Sequence, residues 1–316
     1  MPDLPLSLDF RSELFVPFTA RLRAGESAVL LGVGSCGKSN VVRFLKRADA
    51  REFYFQSEAA TTLYTPVDCD KLRDTDEVTV YAGILAALAE AAPTFGDEGA
   101  KIAAQCETWW NEIVSTNHAP IARRRLEQAL TMLLNGPAKR IILLFDDCDE
   151  LMTRAHPALF RILRALRDDH KYQLVYVTVT RRELACLREM SSDFESFFEL
   201  LARHQFALQP YQRDDANFML KRLVARNAGT RPFTDAEFQN IYQVTGGHAG
   251  LIGVTFEAIK NTERALAPDL LDFLAAKRVV YQESQKIWDS LEEYEHADLL
   301  ALAQQQEPSG EGCRHY

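Results

Sequence analysis

With 316 residues, 47% of them hydrophobic and 26% charged, the chain has the balance of a folded protein with a sizeable core and room for two or three domains, which excludes a disordered or fibrous chain. Its 36 Lys and Arg against 45 Asp and Glu leave a net charge of −9. That balance repels a phosphate backbone, so a nucleic-acid partner would require a local basic patch.

The basic runs, Arg123 to Arg125 and the spaced Arg161, Arg164 and Arg167, read as solvated helix faces. Six cysteines, Cys36, Cys69, Cys106, Cys148, Cys186 and Cys313, form no C-x-x-C and no paired Cys/His spacing, so no zinc site is expected and a reducing cytoplasm is the expected location. The opening MPDLPLSLDFRSELF has neither the apolar run of a secretory signal nor that of a membrane span, so no membrane role is expected.

Taken in chain order, short apolar segments rich in β-branched residues predict buried parallel strands at 27–31, 63–67, 140–145 and 174–179, with a weaker one at 205–209 stopped by Pro210. Helical periodicity lies between them, at Lys38–Lys46, 78–92, 121–134 and 158–166. Strands and helices that alternate in this way predict a doubly wound α/β domain over residues 1–210. A further helix at 98–114 carries Trp109 and Trp110, which are expected to pack in the core. After Pro210 only helical patterns continue, at 214–225, at 234–244 with Thr234 and Glu237 as a capping box, at 249–260 and at 268–276. These predict a small helical domain over 211–278. The remainder, 279–316, is expected to form two short helices within 284–305 and then a patternless tail from Glu307.

The strongest chemical signal is GVGSCGKS at 32–39, a G-x-x-x-x-G-K-S that directly follows an apolar strand and opens a helix. Glycines let backbone N–H groups turn inward around phosphate oxygens, and the helix N-terminus adds its positive dipole end. Gly32, Val33, Gly34, Ser35, Cys36, Gly37, Lys38, Ser39 and Asn40 are therefore the expected nucleotide-binding residues. Lys38 would neutralise β/γ-phosphate charge and Ser39 would ligate Mg²⁺. Cys36 reads as a small side chain pointing away from phosphate, with an oxidisable thiol as the alternative. A second signal, RIILLFDD at 140–147, is an apolar strand that ends in two carboxylates. Asp146 is the expected Mg²⁺-side residue, acting through a coordinated water, and Asp147 the expected polariser of the attacking water. The sequence has no guanine-reading N-K-x-D string, which favours ATP over GTP.

The strings LLGVGSCGKSN, IILLFDDCDEL, LVYVTVTRREL and VTGGHAGLI, in this order and over about residues 10 to 280, resemble an AAA+-related P-loop ATPase, nearest to the STAND group of signalling and conflict-system ATPases. The resemblance implies an ATPase sheet sandwiched by helices and followed by a helical lid. It also implies a sensor strand between the P-loop strand and the acidic strand, which would bring Thr178, Thr180 and Arg181 near the γ-phosphate. Thr180 and Arg181 are carried over as γ-phosphate sensors, with Arg182 as an alternate and strand-end capping as the other reading. Residues 246–250 resemble the glycine-rich lid motif with Ala249 where many relatives have proline, and His248 would face the nucleotide or play a structural part. Aspartate at 147, where brisk hydrolysers carry glutamate, implies slow turnover. The segment KIWDSLEEYEHADLLALAQ resembles the opening of a winged-helix domain, so the chain is expected to stop partway through one.

A nucleotide-controlled switch is the expected function: Mg-ATP closes the helical lid and controls a partner, an effector or a homo-oligomer formed through the nucleotide domain. The alternatives are an AAA+ mechanochemical ATPase acting on DNA, of the initiator, loader or transposition-regulator kind, and a nucleotide-binding module without useful catalysis. The DNA-acting reading would require an arginine finger in trans, for which Arg154, Arg161 and Arg188 are the candidates.

Overall fold

Short apolar runs supply the central strands of one sheet. A computed structural model describes residues 5–227 and 229–307. Its contacts divide the chain into two units, Glu13–Leu31 with Ser39–Phe206, and Met1–Ser12 with Gly32–Lys38 and Ala207–Tyr316.

The larger unit takes its elements from α1 (Ser12–Arg23), β1 (Ala28–Leu31), α2 (Lys38–Lys46), α3 (Ala48–Phe55), β2 (Thr62–Asp68), α4 (Glu77–Ala91), α5 (Gly96–Thr116), α6 (Ala119–Asn135), β3 (Arg140–Asp146), α7 (Asp149–Arg154), α8 (Pro157–Asp169), β4 (Leu174–Thr180), α9 (Leu184–Leu187), α10 (Ser192–Ala202) and β5 (Gln205–Ala207). The sheet order is β2-β3-β4-β1-β5. The pairs β1 with β4, β2 with β3, and β3 with β4 are parallel. Parallel pairing gathers the strand C-termini on one edge, where open α/β sheets bind ligands. The register sets Asp68 beside Asp146 and Leu31 beside Thr180.

All of β4 is buried, as are the five apolar residues of β3, and two-sided burial is what a continuous apolar strand requires. The stretch Glu77–Thr116 is long and apolar enough to pass for a membrane span by composition. Its residues Val80, Ile84, Leu88, Ile102 and Ile113 are buried in this unit's core. Trp109 packs half-buried against that core beneath the Arg125 guanidinium. Trp110 corrects the expectation that both tryptophans are core: it is 39% exposed, because consecutive helical residues point to different faces. Helices α1, α3 and α10 join those that the periodicity predicts. In α10 the residues Phe194, Phe197 and Leu201 bury one face.

The smaller unit contains α11 (Arg213–Arg226), α12 (Asp235–Thr245), α13 (Ala249–Ile259), α14 (Leu270–Ala275), α15 (Arg278–Trp288) and α16 (Glu293–Ala303). The capping box at the start of α12 is formed: Glu237 N–H donates to Thr234 Oγ1 at 3.3 Å, and Thr234 N–H donates to Glu237 Oε2 at 2.8 Å. Arg231 pairs with the same carboxylate and holds it below the usual range. Gly246 ends α12 at φ 58° and Gly247 follows at φ 77°, left-handed conformations that favour glycine. Of the tail expected from Glu307, residues 308–316 lie outside the described residues.

Candidate functional site

The G-x-x-x-x-G-K-S segment forms a tight loop between β1 and α2. Ser35 and Gly37 adopt φ 57° and 101°, which turns the chain sharply. Cys36 N–H donates to Val33 O at 3.3 Å. Lys38 is 7% exposed, and its ammonium donates to Gly32 O at 2.6 Å and Val33 O at 3.2 Å. The loop therefore folds around its own lysine and keeps a positive charge at its centre. Cys36 is buried and points back beneath the loop, where a Cβ on Gly32 would lie 2.4 Å from its sulfur. Burial pushes the Cys36 thiol up against the opposing charges of Lys38 and Arg11, so it is a poor nucleophile. Ser39 is exposed and Asn40 half-buried on the first turn of α2, and Asn40 accepts from Arg43.

In the smaller unit the glycine-rich turn meets this loop. Gly250 N–H donates to Ser35 O at 3.0 Å. A Cβ on Gly250 would stand 2.8 Å from Ser35 Cβ and 2.0 Å from a Glu283 carboxylate oxygen, so the approach depends on glycine there. Gly34 N–H donates to Ser290 Oγ at 2.8 Å, just after α15. His248 caps α13, its Nδ1 accepting from Leu251 N–H at 3.4 Å. Burial is the largest influence on this imidazole and lowers its pKa. The Gly34 backbone and Glu283 act in the opposite sense, and Arg11 and Lys38 add to the lowering.

Arg11 escaped the sequence reading, since a lone arginine before a helix carries no spacing signal. It is 3% exposed at φ 49°. Its guanidinium donates to Gln209 O at 2.6 Å and Cys36 O at 3.0 Å, and stands 4.4 Å from the Tyr211 ring centroid. Tyr211 N–H donates to Gly247 O at 2.9 Å. One stack thus ties the phosphate-type loop to the glycine turn.

The acids lie within the larger unit. Ser39, Asp146 and Asp147 line one cleft of about 750 Å³, together with Asp68 and Asp70. Asp146 terminates β3, and Asp147 follows at φ 48°, a left-handed residue of the kind that concentrates at functional sites. Asp70 is pushed up first by desolvation, then by Asp147 and Asp68, with Arg181 opposing. The Tyr64 hydroxyl is fully buried and is raised by burial and by the charge of Asp146.

Thr180 is fully buried at the end of β4, and its Oγ1 has no hydrogen-bond partner among the described residues. Arg181 is exposed, with its N–H held by the Asp149 carboxylate at 3.0 Å. The order of the sheet sets β4 between β1 and β3. Thr180 thus ends the strand between those of the P-loop and Asp146, and it is not among the residues that line the cleft shared by Ser39, Asp146 and Asp147. One hydroxyl and one strand-end carboxylate fit Mg²⁺, which keeps most of its shell for water and phosphate oxygens. Of the arginine-finger candidates, Arg154 pairs with Glu150, Arg161 lies 3.5 Å from Asp193, and Arg188 lies over Phe160 and Phe194.

No protein-family model matches the chain, and no curated protein sequence matches it. Solved structures do. A Walker-type ATPase of Pyrococcus abyssi is 18% identical, covering 90% of this chain and 77% of that one with a TM-score of 0.55. The ADP form of the Aeropyrum pernix ORC2 protein is 11% identical over 90% and 70%, with a TM-score of 0.53. The Aeropyrum pernix ORC1 protein in complex with DNA is 15% identical over 96% and 73%, with a TM-score of 0.50. At these identities the likeness defines the fold: the chain has the AAA+ P-loop fold, a parallel α/β sheet followed by a small all-helical region.

Proposed function

We propose that the chain is an ATP-binding, slowly hydrolysing molecular switch. The observation that carries this reading is the hydrogen bond from Gly250 to Ser35, which joins the glycine-rich turn to the centre of the phosphate-type loop. A phosphate drawn to the amides of Gly32–Lys38 and to the Lys38 ammonium would change the conformation that Ser35 offers to Gly250. Differential contact of this kind is what a nucleotide needs in order to bias a two-state element. Residues 1–210 would hold the nucleotide, 211–278 would act as the lid, and the helices within 279–307 would be winged-helix-like.

In this mechanism Lys38 and the loop amides hold the β- and γ-phosphates, and Ser39 with Asp146 would hold Mg²⁺, which supplies charge neutralisation. Asp147 accepts a proton from the attacking water. Its carboxylate is one methylene shorter than glutamate, which supports slow turnover. Thr180 and Arg181 would read the γ-phosphate, and His248 would face the nucleotide from the start of α13. The STAND-like order of the four sequence strings supports control of a partner, an effector or a homo-oligomer, and a reducing cytoplasm suits the scattered cysteines.

A second reading is an AAA+ ATPase acting on DNA, favoured by the likeness to an ORC1 protein seen in complex with DNA. The net charge of −9 weighs against it. Titration of ATP and GTP into the wild type and Lys38→Ala tests the first reading, with DNA added in a parallel series. ATP binding lost in the variant is the expected result, and equal affinity for both proteins would overturn it. ATP turnover stimulated by DNA would favour the second reading.

A further inference from the structure

The larger unit has another polar cavity, of about 290 Å³, at the end of the sheet where β1, β4 and β5 begin. Its lining includes Arg164 and Arg167 from the last turns of α8, Lys171 and Tyr172 before β4, and Glu199 and Arg203 around the end of α10. Arg167 is the unusual member. It is only 6% exposed, yet its best hydrogen bond is a 3.4 Å contact to Gly25 O and its nearest carboxylate oxygen, on Asp168, is 4.0 Å away. Its Nε has no hydrogen-bond partner among the described residues, and the Tyr172 ring centroid lies 5.2 Å from the guanidinium carbon. A guanidinium removed from water needs its donors satisfied and its charge matched.

The acids nearby have other partners. Asp168 accepts from Arg164 Nε at 2.8 Å, and Glu26 lies 3.0 Å from His204 Nε2 and 3.3 Å from Arg21. Arg164 is further engaged by a mid-helix carbonyl of α10, its Nη1 donating to Ser196 O at 2.6 Å. Arg167, Lys171 and Arg203 then face the cavity against Glu199 as the remaining carboxylate. A planar donor fork beside an excess of positive charge is what a multivalent oxyanion requires.

We propose that this cavity binds a small phosphate-class anion, either inorganic phosphate or a small phosphomonoester, held by Arg167 with Lys171 and Arg203. The site is independent of the P-loop. Calorimetric titrations at constant ionic strength with inorganic phosphate and, separately, with glycerol 3-phosphate test it. Three proteins are compared: the wild type, Lys171→Ala/Arg203→Ala, and Lys38→Ala. Lys171 and Arg203 are exposed, so their removal leaves the fold intact, which circular dichroism and the melting temperature verify. Expected is binding that survives Lys38→Ala and weakens about 10-fold or more in the double variant. The tighter of the two ligands identifies the source of the phosphate. No binding of either ligand at millimolar concentration, or binding that Lys38→Ala abolishes and the double variant retains, would overturn the proposal.

Discussion

Asp147 stands at φ 48°, a conformation that asparagine adopts as readily as aspartate. Asp147→Asn should therefore keep the backbone and the metal-side carboxylate of Asp146. Mg-ATP affinity is expected to stay within about twofold while turnover falls by about 10²-fold or more. Asp146→Asn should instead weaken Mg²⁺-dependent binding, so identical behaviour of the two variants would contradict the division of roles. The glycines of the turn make a matching pair at this scale. A Cβ on Gly246 would meet nothing within 4 Å, whereas one on Gly247 would lie 2.4 Å from Tyr211 O. Gly246→Ala should cost about 1 kcal/mol for its positive φ, and Gly247→Ala about 2–3 kcal/mol because backbone must also move. Urea denaturation of the two variants measures the difference, and equal costs would contradict the contact.

At the scale of elements, the strands and the P-loop helix were legible because burial on both faces forces continuous apolar runs and because the G-x-x-x-x-G-K-S signature fixes its own flanks. Helix α2 begins and ends where its periodicity predicts, and the box of Thr234 and Glu237 is made. What stayed hidden is tertiary. Nothing in the spacing of Phe10 and Arg11 announces that the guanidinium will lie against Tyr211 and donate to Cys36 O. Likewise, α1 hides behind Pro17, a residue that argues locally against a helix. The turn between α12 and α13 also carries a pH prediction through His248. Its folded pKa is depressed below the ordinary imidazole value of about 6.5, so below that pH the unfolded chain binds more protons than the folded one. Stability should accordingly fall as the pH drops from about 6.5. His248→Asn, which can still cap α13, should flatten that part of the profile of melting temperature against pH. An unchanged slope would show that the imidazole does not contribute.

Over the whole molecule, the phosphate-type loop belongs to the same compact unit as the glycine-rich turn. Arg181, at the end of the strand set between β1 and β3, is the proposed reader of the γ-phosphate. Arg181→Ala should therefore narrow the difference between ATP and ADP affinity, a coupling typically worth about 1–3 kcal/mol. Affinities for both nucleotides that fall by the same factor would instead assign Arg181 a general electrostatic part. The most direct test of the switch is hydrogen exchange across residues 244–252, compared without nucleotide, with ADP and with a non-hydrolysable ATP analogue. The account predicts that protection of this segment, including the Gly250 amide that donates to Ser35, differs between the ATP analogue and ADP. Equal protection with both nucleotides would contradict the switch and leave a nucleotide-binding module.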